Sequence, residues 1–285
     1  MKFSFLTYLF CRFPLEHSFQ MAQYYGFDGI EIWGARPHAY AYDMDVAAVR
    51  EILEMKKKYG VEISAYTPEI LAYPYNLASP LKKEREETEE YLMRALETTA
   101  ALEGQRMLLT LPHPGHLARK RDIWKLVLEP LRRLCARAEA LGVNVMLETL
   151  TPSESNLVTT ADEASALIED VGSRAMTAMM DLVPPVIANE PVSNYFDFLQ
   201  NRMDYIHLCN SDGVTEFHAR LDEGVLPLQD VFTLLKRQKF EGWCSLEILA
   251  PYYKDPELYL AQSKRLIEAG ISESEREYAA GNRCW

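Results

Sequence analysis

The chain has 285 residues, of which 48% are hydrophobic and 25% charged, a composition that fits a folded globular protein and argues against disorder. Its formal net charge of -12 argues against a nucleic-acid partner, because such binding relies on Lys and Arg displacing the counterions of phosphates. Its odd number of scattered cysteines, without CxxC spacing, predicts neither a disulfide framework nor a zinc knuckle and favours a reducing cytoplasm. These cysteines are Cys11, Cys135, Cys209, Cys244 and Cys284.

Short β-rich runs alternate with longer amphipathic segments along the chain, a pattern typical of parallel βαβ units. Eight strands are predicted at 3–8, 29–33, 62–66, 106–111, 144–148, 177–181, 204–208 and 243–248. The helical segments lie at 46–59, 84–102, 125–141, 161–170, 228–238 and 258–269. No stretch is apolar for long enough to predict a membrane span, and the amino terminus is interpreted as the first strand rather than a signal peptide.

Eight strand-helix units predict an α/β fold of the (β/α)8 TIM-barrel type, in one domain over residues 1–285 with a polar tail from about 271. The alternative is an open doubly wound sheet. It is disfavoured because no predicted strand is followed by the GxGxxG turn that cradles a nucleotide phosphate.

Four successive strands end in groups that can bind a metal: Glu148, Asp181, His207 and Glu247. The carboxyl ends of barrel strands converge on one face, so these groups are expected to meet. One such residue alone is typical of a solvated loop, but several carboxylates against apolar walls need a positive partner. One divalent metal ion is therefore predicted there.

Three carboxylates and one imidazole form an oxygen-rich set that suits manganese, cobalt, magnesium or nickel, with zinc left open. A hydroxyketone chelated there would lose the proton next to its carbonyl more easily. With Glu148 and Glu247 as opposed acid and base, the product is an epimer. A single working base that returns the proton to the adjacent carbon would instead make an aldose-ketose isomerase.

Further polar residues follow the earlier strands and are candidates for substrate binding, although loop residues are commonly polar. They are Trp33, Arg36, His38, Glu69, His113 and Glu154, with Glu31 and His116 beside them. Cys209 and Cys244 lie on neighbouring predicted strands near the site, where a free cysteine is commonly a small buried hydrophobe.

Several segments resemble the fructoselysine 3-epimerase branch of the xylose isomerase-like TIM barrels, between about Phe3 and Ala269. They are GFDGIEIWGARPHAY, YTPE with AYPYN, LETLTPSESN, MMDLVPP, IHLCNSDG and SLEILAPYY. The resemblance implies metal-dependent epimerisation at C3 of a ketose that carries an amino-acid substituent. It also implies that the four strand-end residues are the metal ligands, that Glu148 and Glu247 are the acid-base pair, and that Glu154 contacts substrate hydroxyls.

The chain departs from its relatives in the loop after His218, where ARLDEG replaces a Pro-Gly-x-Gly turn, and at Pro184 and Gly213, where free-ketose epimerases carry His and Arg. These differences bear on the substrate and leave the four metal-binding positions intact. The alternatives are a hydroxypyruvate- or inosose-type isomerase and a catalytically silent sugar-binding protein. An endonuclease IV-like repair enzyme is disfavoured by the negative charge and by a count of only six histidines. A small-molecule sugar is the expected partner, and a homo-oligomer remains open.

Overall fold

A computed structural model describes residues 1–279; Cys284 lies outside this range. Eight short strands alternate with helices, as the sequence predicts. The strands are β1 (Lys2–Phe5), β2 (Gly29–Gly34), β3 (Glu62–Pro68), β4 (Arg106–Leu109), β5 (Asn144–Leu147), β6 (Met176–Asp181), β7 (Met203–Leu208) and β8 (Trp243–Leu246).

The α-helices surround the strands. They are α1 (Leu15–Tyr25), α2 (Val46–Tyr59), α3 (Lys82–Ala101), α4 (Lys120–Leu141), α5 (Ala161–Val171), α6 (Val183–Ile187), α7 (Ser193–Leu199), α8 (Leu228–Arg237) and α9 (Pro256–Ala279).

All strand pairs are parallel, and β1 pairs with β8 while β2 to β8 follow one another in chain order. A bridge between Leu6 and Glu31 joins the β1 side to β2 and completes the ring. This closed arrangement confirms the TIM barrel and excludes the open doubly wound sheet.

The barrel has two apolar layers because its strands are buried on both faces. One small cluster fills the inside of the barrel, and a larger one packs the strands against the helices. The inner cluster contains Ala65, Leu108, Met146, Met179, Tyr205 and Trp243. The residues that close each strand are thereby held at fixed positions around one rim.

Among the differences from the sequence prediction, two concern the amino-terminal and carboxyl-terminal segments. The first strand ends at Phe5 instead of continuing to residue 8, and Thr7–Phe10 forms a 3-10 helix. The expected polar tail from about 271 is, as far as Ala279, the continuation of α9, with Ser274 buried. The buried positions of this part of the helix are occupied by small residues. Its sequence therefore lacks the apolar pattern that would predict a packed helix.

Within residues 1–279, no helix combines the length and apolarity needed to cross a bilayer.

Candidate active site

The four strand-end residues come together at one rim of the barrel. Glu148 directly follows β5, Asp181 closes β6, His207 is the penultimate residue of β7, and Glu247 directly follows β8. One potential ligand atom from each lies within 4.8 Å of those from the other three. The barrel topology thus places four residues that are far apart in sequence in one cluster, which we call the quartet.

The imidazole of His207 lies at the centre of the quartet. Its Nδ1 atom is 2.6 Å from Oε2 of Glu247, 3.3 Å from Oε1 of Glu148 and 3.6 Å from Oδ2 of Asp181. Asp181 and His207 are buried, and the side chains of Glu148 and Glu247 are only 11% and 12% exposed. Three carboxylates around one nitrogen, away from bulk water, form a site with strong attraction for positive charge.

Glu31 fixes the orientation of this imidazole from inside the barrel. Its carboxylate oxygens accept a hydrogen bond from Nε2 of His207, at 2.9 and 3.0 Å, and one of them also accepts from the hydroxyl of Tyr205 at 2.9 Å. The hydroxyl of Thr67 donates to the same carboxylate. Because Nε2 donates to Glu31, Nδ1 is the ring nitrogen that faces the quartet.

The quartet residues have strongly perturbed pKa values. Burial raises the pKa of Glu148 to about 8, although the hydrogen bond and the charge of His207 oppose this shift. Burial also disfavours the charged form of Asp181, but His218 and His207 outweigh it and lower the pKa of that carboxyl. For His207, burial is likewise overcome, here by the carboxylates of Glu247 and Glu31, and its pKa is raised well above the usual value.

Two buried atoms of the quartet, Nδ1 of His207 and Oε2 of Glu247, lie 2.6 Å apart but without hydrogen-bond geometry. Buried polar atoms that lack a well-formed hydrogen bond are costly. A divalent cation bound by the quartet would satisfy both atoms and neutralise the carboxylates. The donor set therefore fits a metal ion.

A cavity of about 340 Å³ opens beside the quartet and is large enough for a sugar-sized ligand. Its wall contains Glu148, His207 and Glu247 together with residues from the first four strand-loop units. The latter include Leu6, Tyr8, Trp33, Thr67, Pro68, Glu69, Ile70, Leu71, Ala72, Leu108 and Thr110.

Trp33 and Glu69, both predicted to bind substrate, lie together in this wall. The indole nitrogen of Trp33 donates to Oε2 of Glu69 at 2.8 Å, and the backbone N–H of Ala72 donates to Oε1 at 2.9 Å. The ring of Trp33 also meets Tyr8 edge-on at 4.9 Å. The AYPYN segment therefore begins as part of the cavity wall.

Glu154 and His113 lie on two loops that are joined by a backbone hydrogen bond of 2.7 Å from the N–H of His113 to the carbonyl of Glu154. The carboxylate of Glu154 accepts from the hydroxyl of Thr151, and burial raises its pKa. The charge of His218 opposes this rise in pKa, and the charge of Asp181 adds to it.

Arg36 and His38 are not among the residues that line the cavity. The guanidinium of Arg36 is largely exposed and pairs with Asp43 through two contacts of 2.6 Å. Nε2 of His38 donates to the carbonyl oxygens of Phe10 and Phe13, at 3.2 and 3.1 Å. In this structure His38 therefore ties its loop to the amino-terminal segment.

Sequence reasoning missed two residues that contact the quartet. The sequence indicates Glu31 only as one of several polar candidates, and His218 only as the residue before a variable loop. Nε2 of His218 is 3.2 Å from Oδ2 of Asp181 and 3.5 Å from Oε2 of Glu247. A signal for Glu31 was present, because a carboxylate in the middle of an apolar strand requires a buried partner.

Comparison with known proteins identifies the family of the chain. The family model of the xylose isomerase-like TIM barrel matches residues 19–269. A fructoselysine 3-epimerase of Escherichia coli O157:H7 is 34% identical over 264 residues, which cover 93% of this chain and 96% of that protein.

Solved structures show the same fold. An L-ribulose 3-epimerase superposes with a TM-score of 0.83 at 20% identity, covering 99% of this chain and 98% of that one. The IOLI protein, solved with a zinc atom, superposes with a TM-score of 0.82 at 18% identity. The superposition covers 96% of this chain and 99% of that one. Together with the sequence matches, the fold shows that the chain belongs to the xylose isomerase-like TIM barrel family and is a carbohydrate epimerase or isomerase.

Proposed function

We propose that the protein is a metal-dependent epimerase that interconverts the C3 epimers of a ketosamine such as fructoselysine. The observation that carries the proposal is the quartet, in which three carboxylates and an oriented imidazole meet and from which Glu148, His207 and Glu247 line a sugar-sized cavity. The 34% identity with a fructoselysine 3-epimerase over nearly the whole chain supports the choice of substrate.

Glu148, Asp181, His207 and Glu247 would hold the ion. When bound, a divalent ion polarises the ketose carbonyl and stabilises the enediolate that forms when the neighbouring carbon loses its proton. The oxygen-rich donor set favours manganese, cobalt, magnesium or nickel, and zinc remains open because ligand type only biases the choice.

Glu148 and Glu247 are the proposed acid-base pair. They follow β5 and β8, with β6 and β7 between them, so that they enter the site from different sides. One carboxylate removes the proton from C3, and the other, protonated, delivers a proton to the opposite face of the same carbon.

The cavity wall and the loops after β4 and β5 supply the proposed substrate contacts. The indole of Trp33 can cover the apolar face of a sugar, and Glu154 and His113 offer polar groups for hydroxyls. The carboxylate of Glu69 is the negative group that an amine-bearing substituent would approach. Arg36 and His38 remain predictions from sequence without a contact in this cavity.

Proton NMR in D₂O tests the proposal. Fructoselysine is incubated with the enzyme and Mn²⁺ or Co²⁺, and the same reaction is run with Glu148→Gln, with Glu247→Gln and with a chelator. Deuterium is expected at C3 together with the epimeric product, and both are expected to vanish in the three controls. Glu62→Gln, an exposed change at the start of β3, should leave exchange unchanged.

The position of the exchanged proton separates the alternatives. Exchange at C1 would assign an aldose-ketose isomerase instead. No exchange at any carbon, with metal and fructoselysine shown to be bound, would reject this substrate, and a panel of other ketoses would then separate another sugar from a protein that only binds.

We further propose a reducing, cytoplasmic location. In the described part of the chain, Cys11, Cys135, Cys209 and Cys244 are all free thiols. Free buried thiols are typical of reducing compartments. Fractionation of the producing cells would test this location, and size-exclusion chromatography with light scattering would establish the oligomeric state.

A further inference from the structure

A second group of potential metal ligands meets at Asp181, next to the quartet. It consists of Asp181, Cys209 directly after β7, and His218 in the loop that follows. These residues are buried, with exposed fractions of 1%, 1% and 9%. One ligand atom from each lies within 4.8 Å of the other two. The two groups share Asp181, but the second contains a thiol and a different imidazole.

The distances within this group also suit ligands around one ion. Nε2 of His218 is 3.2 Å from Oδ2 of Asp181, and Sγ of Cys209 is 3.7 Å from both carboxylate oxygens, contacts that are hydrogen bonds in this structure. A tetrahedral zinc ion with ordinary bond lengths separates its N, O and S ligands by about 3.3–3.6 Å. An ion could therefore replace these hydrogen bonds with little movement of the side chains.

The tautomer of His218 also fits a ligand. Its Nδ1 atom lies 2.8 Å from the backbone carbonyl oxygen of Glu216, and because a carbonyl only accepts, Nδ1 carries the proton. Metal-binding histidines commonly donate their second N–H in this way. Nε2 is left facing Asp181 and Oε2 of Glu247, the buried oxygen without a partner, and so must hold either a proton or a cation.

The loop that carries His218 is firmly placed. Asn210, next to Cys209, exchanges two backbone hydrogen bonds with Ala219, and its side-chain amide donates to the carbonyls of Leu221 and Leu226. The backbone N–H groups of Ser211 and Leu226 donate to its side-chain oxygen. A buried asparagine thus holds both ends of the loop and fixes His218 against Asp181.

We propose that Asp181, Cys209 and His218 form a second metal site that selects zinc over manganese or magnesium. The thiolate makes this site softer than the quartet, and soft ligands favour zinc. Glu247 or a water molecule supplies the fourth ligand. Three carboxylates and one thiolate balance two divalent cations, and the thiol of Cys209 gives up its proton when the ion binds.

Cobalt titration tests the second site without turnover. Co²⁺ bound by a thiolate gives a charge-transfer band in the near ultraviolet, whereas Co²⁺ bound only by oxygen and nitrogen does not. The wild-type chain is expected to bind two equivalents of Co²⁺ or Zn²⁺, with the band present, and one equivalent of Mn²⁺. Cys209→Ser should abolish the band and lower the zinc stoichiometry from two to one.

Three further variants make the result specific. His218→Gln should also lower the zinc stoichiometry to one. Cys244→Ser, which removes a thiol equally buried within β8, should keep both equivalents and the band. Glu148→Gln removes a carboxylate of the quartet alone. It should keep the band but lower the affinity for the metal ion that the quartet binds, so the loss of one site can be distinguished from the loss of the other.

The proposal is overturned if the wild type binds one equivalent of zinc without a charge-transfer band, in which case a proton occupies Nε2 of His218. It is equally overturned if the band persists in Cys209→Ser. Neither readout depends on epimerase activity, so failure of the deuterium-exchange experiment would leave this test intact.

Discussion

The carboxylate of Glu31 holds the imidazole of His207 from the side opposite the quartet, with both oxygens within 3.0 Å of Nε2 and both side chains buried. Glu31 lies in the middle of β2, which β1 and β8 separate around the ring from the β7 strand that carries His207. The barrel interior therefore supplies a carboxylate-histidine pair whose free nitrogen faces the quartet. Such outer partners set both the orientation and the basicity of a metal-binding histidine.

We expect Glu31→Gln to weaken binding of Mn²⁺ or Co²⁺ by about 10- to 100-fold, because the amide no longer provides the charge that stabilises the oriented imidazole. Competition with a chromophoric chelator measures this affinity. Glu62→Gln, in an exposed pair with Lys2, serves as the matched control and should leave the affinity unchanged. Equal affinities in wild type and Glu31→Gln would mean that the buried pair has only a structural role.

The barrel and the quartet were accessible from sequence because both depend on pattern. Buried parallel strands have apolar residues on both faces, so each strand stands out as a short β-rich run. In a barrel, the ends of these runs must share one rim, so Glu148 and Glu247 could be placed together although 99 residues separate them.

The rest depended on three-dimensional detail. The conformation of one loop decides whether Arg36 faces a cavity or pairs with Asp43. The hydrophobic periodicity of the sequence does not predict the conformation of a loop. The role of His218 depends on a long loop that returns to Asp181 through hydrogen bonds of Asn210. The last helix extends through a polar segment because small residues such as Ser274 are enough to pack it.

Glu69→Gln should change substrate preference. If the carboxylate pairs with the amine of a ketosamine, its loss removes a charged hydrogen bond worth about 1.5–3 kcal/mol, which is roughly tenfold or more in kcat/KM. The ratio of kcat/KM for fructoselysine to that for free fructose should therefore fall. A parallel loss on both sugars would show instead that Glu69 acts by holding Trp33 and Ala72 in place.

Metal removal should lower the melting temperature. An ion that binds only the folded chain stabilises it by about 2.7 kcal/mol at 100 times its dissociation constant. Calorimetry with and without chelator is expected to show a drop of several degrees in wild type and a much smaller one in Glu247→Gln. A chelator effect of the same size in that variant would place the stabilising ion outside the quartet.

The inner cluster of the barrel should be sensitive to truncation. Met179 is fully buried inside the barrel, and Met179→Ala should reduce the free energy of unfolding by about 2–5 kcal/mol because the cavity cannot collapse within a closed ring. Urea denaturation measures the change, with the fully exposed Leu117→Ala as the control. A loss below about 1 kcal/mol would indicate that neighbouring strands relax to fill the space.

His38 should make stability depend on pH. Burial lowers its pKa below the usual value of 6.5, and the hydrogen bonds to the Phe10 and Phe13 carbonyls only partly offset this. As pH falls below 6.5, the unfolded chain takes up a proton that folded His38 resists, so its stabilising contribution is full above that pH and shrinks below it. The stability gap between wild type and His38→Gln, measured by urea unfolding at pH 8 and pH 5, should narrow at the lower pH. A constant gap would mean that folded His38 titrates normally.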